Sequence, residues 1–153
     1  MELKEKLNIK ELLKVIFYGF LLTTLVGIVV GYIDFGLYSL IQFSISGLIL
    51  FLLAKKIAQF LRSNYKEPRT VFSVIIGILL AWMIFVEIYS YAFFIFNDMV
   101  PLKDINISLL KYLEAMWPVV IRVVNVFKDF SLDKVVNTLF YFIVIYLGVK
   151  ETI

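Results

Sequence analysis

Four long apolar runs dominate the pattern of hydrophobic and polar positions along the chain. They cover residues 15–32, 35–54, 70–96 and 135–149, and only one residue in them, Glu87, carries a charge. A bilayer core about 30 Å thick is crossed by about 20 residues of α-helix. The pattern therefore predicts an all-α, polytopic membrane bundle with four transmembrane helices, one for each run.

The connections between these runs differ in length and in charge. Only Ile33 and Asp34 separate the first two runs, which predicts a tight helical hairpin with Asp34 at its tip. Residues 1–14 alternate in charge and predict a helical cytoplasmic lead-in. Residues 55–69 predict a cytoplasmic loop whose basic side chains contact anionic lipid headgroups at the membrane surface. These side chains are Lys55, Lys56, Arg62, Lys66 and Arg69.

The stretch 97–131, between the third and fourth runs, is predicted to be an outer loop that holds an amphipathic helix. Its polar positions from Lys111 to Asp129 fall on one side of a helix, and most other positions are apolar. Such an extracytoplasmic helix lies in the interface or re-enters the membrane. Pro118 is expected to kink it or to divide it into two shorter helices. The alternative is a fifth span with a polar side that lines an aqueous path.

Charge and composition set the predicted orientation and narrow the chemistry. Ten of the 15 Lys and Arg residues are in the lead-in, in the basic loop or at position 150. The positive-inside rule therefore predicts that both termini lie in the cytoplasm. The predicted location is a cell membrane that the chain crosses several times, either a bacterial inner membrane or a plasma membrane. The net charge of +3 is accounted for by these flanking positions, so no nucleic-acid partner is expected. Cysteine and histidine are absent, which excludes thiol and imidazole chemistry. No cofactor, metal site or catalytic residue is predicted.

Small residues recur at helical spacing in the first and third runs. In lipid, helices associate largely by close packing, and small side chains permit close approach. These stripes therefore predict the tightest helix contacts, either within one chain or in a homodimer. The predicted packing residues are Gly19, Gly27 and Gly31, with Thr23 in the same row, and Ser73, Gly77 and Ala81.

Glu87 is the leading candidate for function because a carboxylate in hydrocarbon must be neutralised or must meet a partner or water. Other polar residues of the apolar runs lie at a similar predicted depth. One hypothesis is an outward-facing polar pocket for a proton, a cation or a small solute. The alternative is a neutral Glu87 that donates a hydrogen bond between helices. The pocket candidates are Glu87, Gln42, Thr23, Thr24 and Asn137.

By pattern, the chain resembles a class of small bacterial four-span membrane proteins that has no assigned activity. The resemblance is carried by the glycine-rich first run, the stretch Gly47 to Lys56, the sequence Glu87-Ile88-Tyr89 and the closing helix Phe140 to Lys150. It covers most of the chain except the outer stretch. The resemblance implies a four-span architecture and no mechanism.

Three function classes remain open on the sequence. The first is a noncatalytic membrane subunit or interaction protein that contacts membrane lipids and associates with itself or with another membrane protein. The second is a channel or transporter-like permeation protein that uses the pocket around Glu87. The third, a membrane-embedded enzyme, is the least favoured because the acid and base candidates within the runs reduce to one Glu and a few Tyr. Ion flux through liposomes separates the second class from the first.

Overall fold

The computed structural model describes residues 8–64 and 69–152, with the backbone alone at residue 69. Every regular element in these residues is helical. The elements are α1 (Ile9–Ile41), α2 (Ser46–Ser63), α3 (Arg69–Met99), a 3₁₀ turn (Leu102–Asp104), α4 (Leu109–Ala115), α5 (Trp117–Val124) and α6 (Leu132–Lys150).

Among the described residues, three helices are long and apolar enough to cross a bilayer. They are α1, α3 and α6, with 33, 31 and 19 residues. They identify the chain as an all-α helical membrane protein. The predicted runs 70–96 and 135–149 lie inside α3 and α6. The predicted run 35–54 is instead divided between the end of α1 and the first half of α2.

The predicted hairpin turn at Ile33 and Asp34 was wrong. The α1 helix continues through both residues to Ile41, and the next residue, Gln42, adopts a left-handed conformation with φ 53°. Its backbone N–H donates to the Tyr38 carbonyl at 2.8 Å. Neither Ile33 nor Asp34 breaks a helix as proline would, and the side chain of Asp34 finds partners inside the bundle, so the charge does not require a turn.

The four longest helices alternate in direction. Helix α1 runs parallel to α3, because Gly19 lies against Leu79 and Gly31 against Ser90. Helix α6 runs antiparallel to α3, because Thr152 contacts Ser73 at one end. Helix α2 runs parallel to α6, with the start of α2 beside the start of α6 and Lys55 beside Glu151. The beginning of α1 and the end of α6 therefore lie at the same end of the bundle.

Glycine allows the closest helix contact, between α1 and α3. A Cβ atom built on Gly27 would lie 2.8 Å from the Met83 carbonyl oxygen and 2.9 Å from the Val86 Cβ. Gly19 and Gly31 face the same helix, so the α1 stripe packs within the chain. The predicted α3 stripe does not meet it. Ser73 and Gly77 face α6 through Thr152 and Val149, and Ala81 is exposed.

Within the stretch 97–131 the structure has two short helices, so of the two outcomes expected at Pro118 it shows the division and not a kink. Helices α4 and α5 have 7 and 8 residues and meet at Met116, with Pro118 in the first turn of α5. Proline is tolerated there because the first turn has no backbone partner for its N–H. Met116 and Val120 pack on Ala92 of α3. Neither short helix is long enough to be the fifth span of the alternative prediction.

Candidate functional site

A cavity of about 620 Å³ lies at the end of the bundle where α1, α3, α5 and α6 meet. We call it the polar cavity. Buried polar side chains from α1, α3 and α6 lie on one side, and apolar side chains of α3 and α5 form much of the rest. The buried polar residues in its lining are Asp34, Ser44, Ser46, Glu87 and Asn137.

Asp34 joins the end of α1 to the start of α2. Asp34 is 1% exposed. One carboxylate oxygen, Oδ2, accepts a hydrogen bond of 2.6 Å from the Ser44 hydroxyl, and the other, Oδ1, accepts one of 2.8 Å from the Ile45 backbone N–H. The residue predicted to sit at an exposed turn is therefore a buried carboxylate that stabilises the beginning of α2.

Asn137 connects α6 to the same place. Its Nδ2 donates to the Ser44 hydroxyl oxygen at 2.6 Å and to the Ser44 carbonyl at 3.3 Å. Its Oδ1 accepts a hydrogen bond of 3.0 Å from the Gly47 backbone N–H. A helix start leaves its first N–H groups without backbone acceptors. Here, side chains from α1 and α6 supply two of those acceptors, so α2 begins inside the bundle without a cap of its own.

Glu87 is 1% exposed and lies on α3. Its Oε2 accepts a hydrogen bond of 2.9 Å from the Tyr141 hydroxyl of α6. The Tyr141 oxygen lies 3.0 Å from the Ser46 hydroxyl oxygen in the first turn of α2. Glu87 is thus connected to the same helix start that Asp34 and Asn137 hold. The three long helices and α2 converge on one hydrogen-bonded network.

The two cations that line the polar cavity, Arg122 and Lys134, contact groups other than Asp34 and Glu87. The Arg122 Nε lies 3.0 Å from the Asp129 carboxylate, and both side chains are largely exposed. The Lys134 ammonium donates to the backbone carbonyls of Arg122 and Asp129 at 3.0 and 3.2 Å. Both cations therefore stabilise the chain between α5 and α6. In the described part of the chain, neither forms an ion pair with Asp34 or Glu87.

The structure brings together two of the five residues predicted for the pocket. Glu87 and Asn137 line the polar cavity, whereas Gln42, Thr23 and Thr24 lie outside its lining. Gln42 is exposed at the end of α1. Thr23 donates to the Gly19 carbonyl at 2.7 Å, and Thr24 accepts a hydrogen bond of 2.9 Å from the Trp82 indole. Equal depth along a helix therefore did not bring these residues together.

Sequence reasoning missed Asp34, Ser44 and Tyr141 as members of the site. The signal for Asp34 was available, because it stands between two apolar runs without a helix-breaking residue beside it. A continuous helix through this position makes Asp34 a second carboxylate among apolar residues. Nothing in the local sequence distinguished Tyr141 from the other tyrosines, since its role depends on the direction of α6.

Three of the predicted membrane-surface cations, Lys55, Lys56 and Arg62, lie in the second half of α2 rather than in a loop, at the opposite end of the bundle. Lys55 lies 3.3 Å from the Glu151 carboxylate, and Gln59 donates to the same carboxylate at 3.1 Å. The Arg62 guanidinium carbon lies 5.0 Å from the centre of the Phe72 ring. Lys56 is exposed. Lys66 and the side chain of Arg69 fall outside the described residues.

Comparisons with protein-family models, with curated proteins and with solved structures found no match to this chain. The chemistry of the polar cavity is therefore inferred from the side chains of the chain itself. Within residues 8–64 and 69–152, no group of three acidic residues is placed to hold a metal ion. Two buried carboxylates, an amide and several hydroxyl groups around one cavity are suited to binding a small polar or charged molecule.

Proposed function

We propose that the protein is a noncatalytic membrane protein that binds a small solute or ion in the polar cavity and allows it to cross the membrane. The observation that carries the proposal is the placement of Asp34 and Glu87, each 1% exposed, in the lining of one cavity of about 620 Å³. The chain contains no histidine or cysteine, which favours binding over covalent or general-base chemistry.

The cost of burying carboxylates supports this assignment. A carboxyl group within a membrane protein usually faces a cavity or a partner and marks a pathway for ions or substrates. Interhelical hydrogen bonds in membranes contribute only about 0.6 kcal/mol on average, so holding helices together is by itself a weak reason to bury two carboxylates. Non-helical backbone at membrane depth is tolerated where it is buried in protein or lines a cavity, as residues 42–45 would be beside the polar cavity.

We further propose that α2 is a fourth membrane passage. Its apolar first half, residues 46–54, runs beside α6 from the polar cavity toward the opposite end of the bundle. Lys55, Lys56 and Arg62 in its second half then lie in the cytoplasm with both chain termini. In that orientation the polar cavity opens toward the outside of the cell membrane, and α4 and α5 lie at the outer interface.

Flux through proteoliposomes tests the proposal. Purified protein is reconstituted, and entry of protons, potassium ions and choline is followed by internal dyes and by light scattering. We expect at least one flux to exceed that of protein-free liposomes and to fall strongly in the Glu87→Gln variant. The matched control is Glu151→Gln, which removes a carboxylate at the opposite end of the bundle. Flux equal to that of protein-free liposomes for every probe contradicts the proposal.

A noncatalytic membrane subunit or interaction protein is the second candidate. One observation favours it: the stretch that follows α5 exposes large aromatic side chains, with Phe127 99% and Phe130 79% exposed. Aromatic side chains of this kind anchor partner contacts as well as membrane interfaces. Self-association through the α1 stripe is disfavoured, because Gly19, Gly27 and Gly31 already pack on α3. Cross-linking in native membranes that depends on Phe127 and Phe130 would favour this candidate.

A further inference from the structure

We infer that the ligand of the polar cavity is an organic cation, an ammonium group attached to an apolar body. This inference rests on the proposed function and specifies the substrate class of the same cavity. It follows from three properties of the lining: the balance of charge, a pair of aromatic rings, and the apolar surface of α3 and α5.

The charged side chains around the polar cavity favour a positive ligand. Two cations line it, but Arg122 is paired with Asp129 and Lys134 is held by backbone carbonyls. The buried carboxylates of Asp34 and Glu87 are met by neutral donors, namely hydroxyl groups and a backbone N–H. A buried carboxylate that meets only neutral donors is stabilised either by a proton or by a cation beside it, so a cationic ligand would supply the missing positive charge. The four carboxylates in the lining are Asp34, Glu87, Asp129 and Asp133.

An aromatic pair stands beside these carboxylates. Tyr38 of α1 and Tyr91 of α3 both line the polar cavity, and their ring centres are 6.2 Å apart at an interplanar angle of 83°. Aromatic faces attract ammonium groups, and rings that stand at a wide angle to each other are typical of sites for substituted ammonium ions. The faces of these rings are electronegative and do not attract an anion.

The remaining lining of the cavity is apolar and favours a ligand that carries an apolar group. Ile88, Ile95 and Met99 of α3 lie on one side, and Val119 and Val123 of α5 lie on the other. A hydrated inorganic cation gains little from such walls, and the described residues offer no set of three acidic ligands for a metal ion. An apolar group attached to the cation is instead desolvated favourably against them.

Ser131 supplies a separate indication that a polar ligand belongs here. Its hydroxyl oxygen is buried and, among the described residues, has no hydrogen-bond partner. Ser131 lines the polar cavity at the start of α6. Buried hydroxyl groups are normally hydrogen-bonded, and a change of the Ser131 side-chain rotamer would let this hydroxyl bond a polar ligand in the cavity.

Calorimetric binding to the protein in phosphatidylcholine nanodiscs tests the inference. The probes are benzyltrimethylammonium, the neutral N,N-dimethylbenzamide and the anionic benzenesulfonate, with empty nanodiscs as the partition control. We expect the ammonium probe to bind about tenfold or more tightly than the amide, and the sulfonate to bind most weakly. Glu87→Gln and Asp34→Asn should each weaken the ammonium probe about tenfold while leaving the amide unchanged. Glu151→Gln should leave all three affinities unchanged.

Each outcome of the binding measurement either supports or overturns the inference that the ligand is an organic cation. Equal affinity for the ammonium and amide probes, or tightest binding of the sulfonate, overturns the cation inference and leaves solute binding in the cavity intact. No binding of any probe to the wild-type protein also overturns the inference, while the flux measurement, which uses no aromatic probe, decides the proposed function separately. The comparison of the three probes on the wild-type protein tests the inference even if a variant does not fold.

Discussion

The Asp34 carboxylate accepts a 2.8 Å hydrogen bond from the backbone N–H of Ile45, eleven residues further along the chain. Between them, α1 continues to Ile41 and the chain turns back at Gln42 before α2 begins. Backbone groups released from a helix within a membrane protein must find acceptors inside the protein. Asp34 is such an acceptor, so one buried carboxylate both lines the polar cavity and stabilises the break between two helices.

Removing the Asp34 carboxylate should destabilise the start of α2. In Asp34→Ala, the Ser44 hydroxyl and the Ile45 N–H lose their acceptor, and we expect a fall of about 1–3 kcal/mol in the free energy of unfolding. Hydrogen exchange at the Ile45 amide should accelerate. The control is Asp98→Ala, which removes an exposed carboxylate near the end of α3. Unchanged exchange at Ile45 would show that this hydrogen bond does not hold the break.

Adding one methyl group at Gly27 should disturb the contact between α1 and α3. Because the new Cβ would lie under 3.0 Å from the Met83 carbonyl oxygen and the Val86 Cβ, one helix must move. Overpacking of this kind costs about 1–3 kcal/mol. Gly36→Ala is the matched control on the same helix, since a Cβ there meets nothing within 4 Å. Equal stability of the two variants in detergent unfolding would contradict this packing.

The hydrogen bond between Tyr141 and Glu87 should be measurable as a coupling energy. We expect Tyr141→Phe and Glu87→Leu to be non-additive by about 0.6 kcal/mol, the average for interhelical hydrogen bonds in membranes, because leucine leaves no acceptor for the Tyr141 hydroxyl. Tyr146→Phe is the control on the same helix, because Tyr146 is largely exposed. Additive effects of the Tyr141 and Glu87 changes would mean that the 2.9 Å contact makes no energetic contribution in the membrane.

Engineered disulfides test the antiparallel arrangement of α3 and α6. The chain has no native cysteine. The Ser73 and Thr152 hydroxyl oxygens lie 2.8 Å apart, so the pair Ser73→Cys and Thr152→Cys should cross-link on mild oxidation. The control pair is Ser73→Cys and Ser131→Cys, which joins Ser73 to the opposite end of α6, about 30 Å away at 1.5 Å per residue. Cross-linking of the control pair in place of the first would show that α6 runs in the other direction.

The location of the helix break shows where the sequence pattern misled. The apolar runs on both sides of Asp34 and the charge between them indicated a turn, because an uncompensated carboxylate in hydrocarbon is costly. Its hydroxyl and amide donors come from residues 44 and 45, which reach it only because the chain turns at Gln42. These donors reach the Asp34 carboxylate only in the folded chain, so the local sequence pattern could not reveal them.

The depth of the candidate residues along each helix was predictable from the sequence, but the direction in which their side chains point was not. Depth along each helix follows from counting residues, and it correctly drew attention to Glu87 as a charge within a long apolar run. Rotation of each helix depends on packing, so Thr24 meets Trp82 of α3, and the Thr23 hydroxyl bonds the Gly19 carbonyl of its own helix. Asn137 enters the polar cavity because α2 and α6 run parallel with Gly47 beside it.

The sequence by itself determined that this is a helical membrane protein, because hydrocarbon excludes charge and requires every backbone hydrogen bond to be made within a helix. It also determined that the α1 stripe permits close packing, since only small residues allow backbones to approach. The tertiary structure decided which helix that stripe meets, where α1 ends, and which polar groups share a cavity. These features depend on helix direction and rotation, which residues far apart in the chain fix through contacts such as those of Asp34, Asn137 and Tyr141.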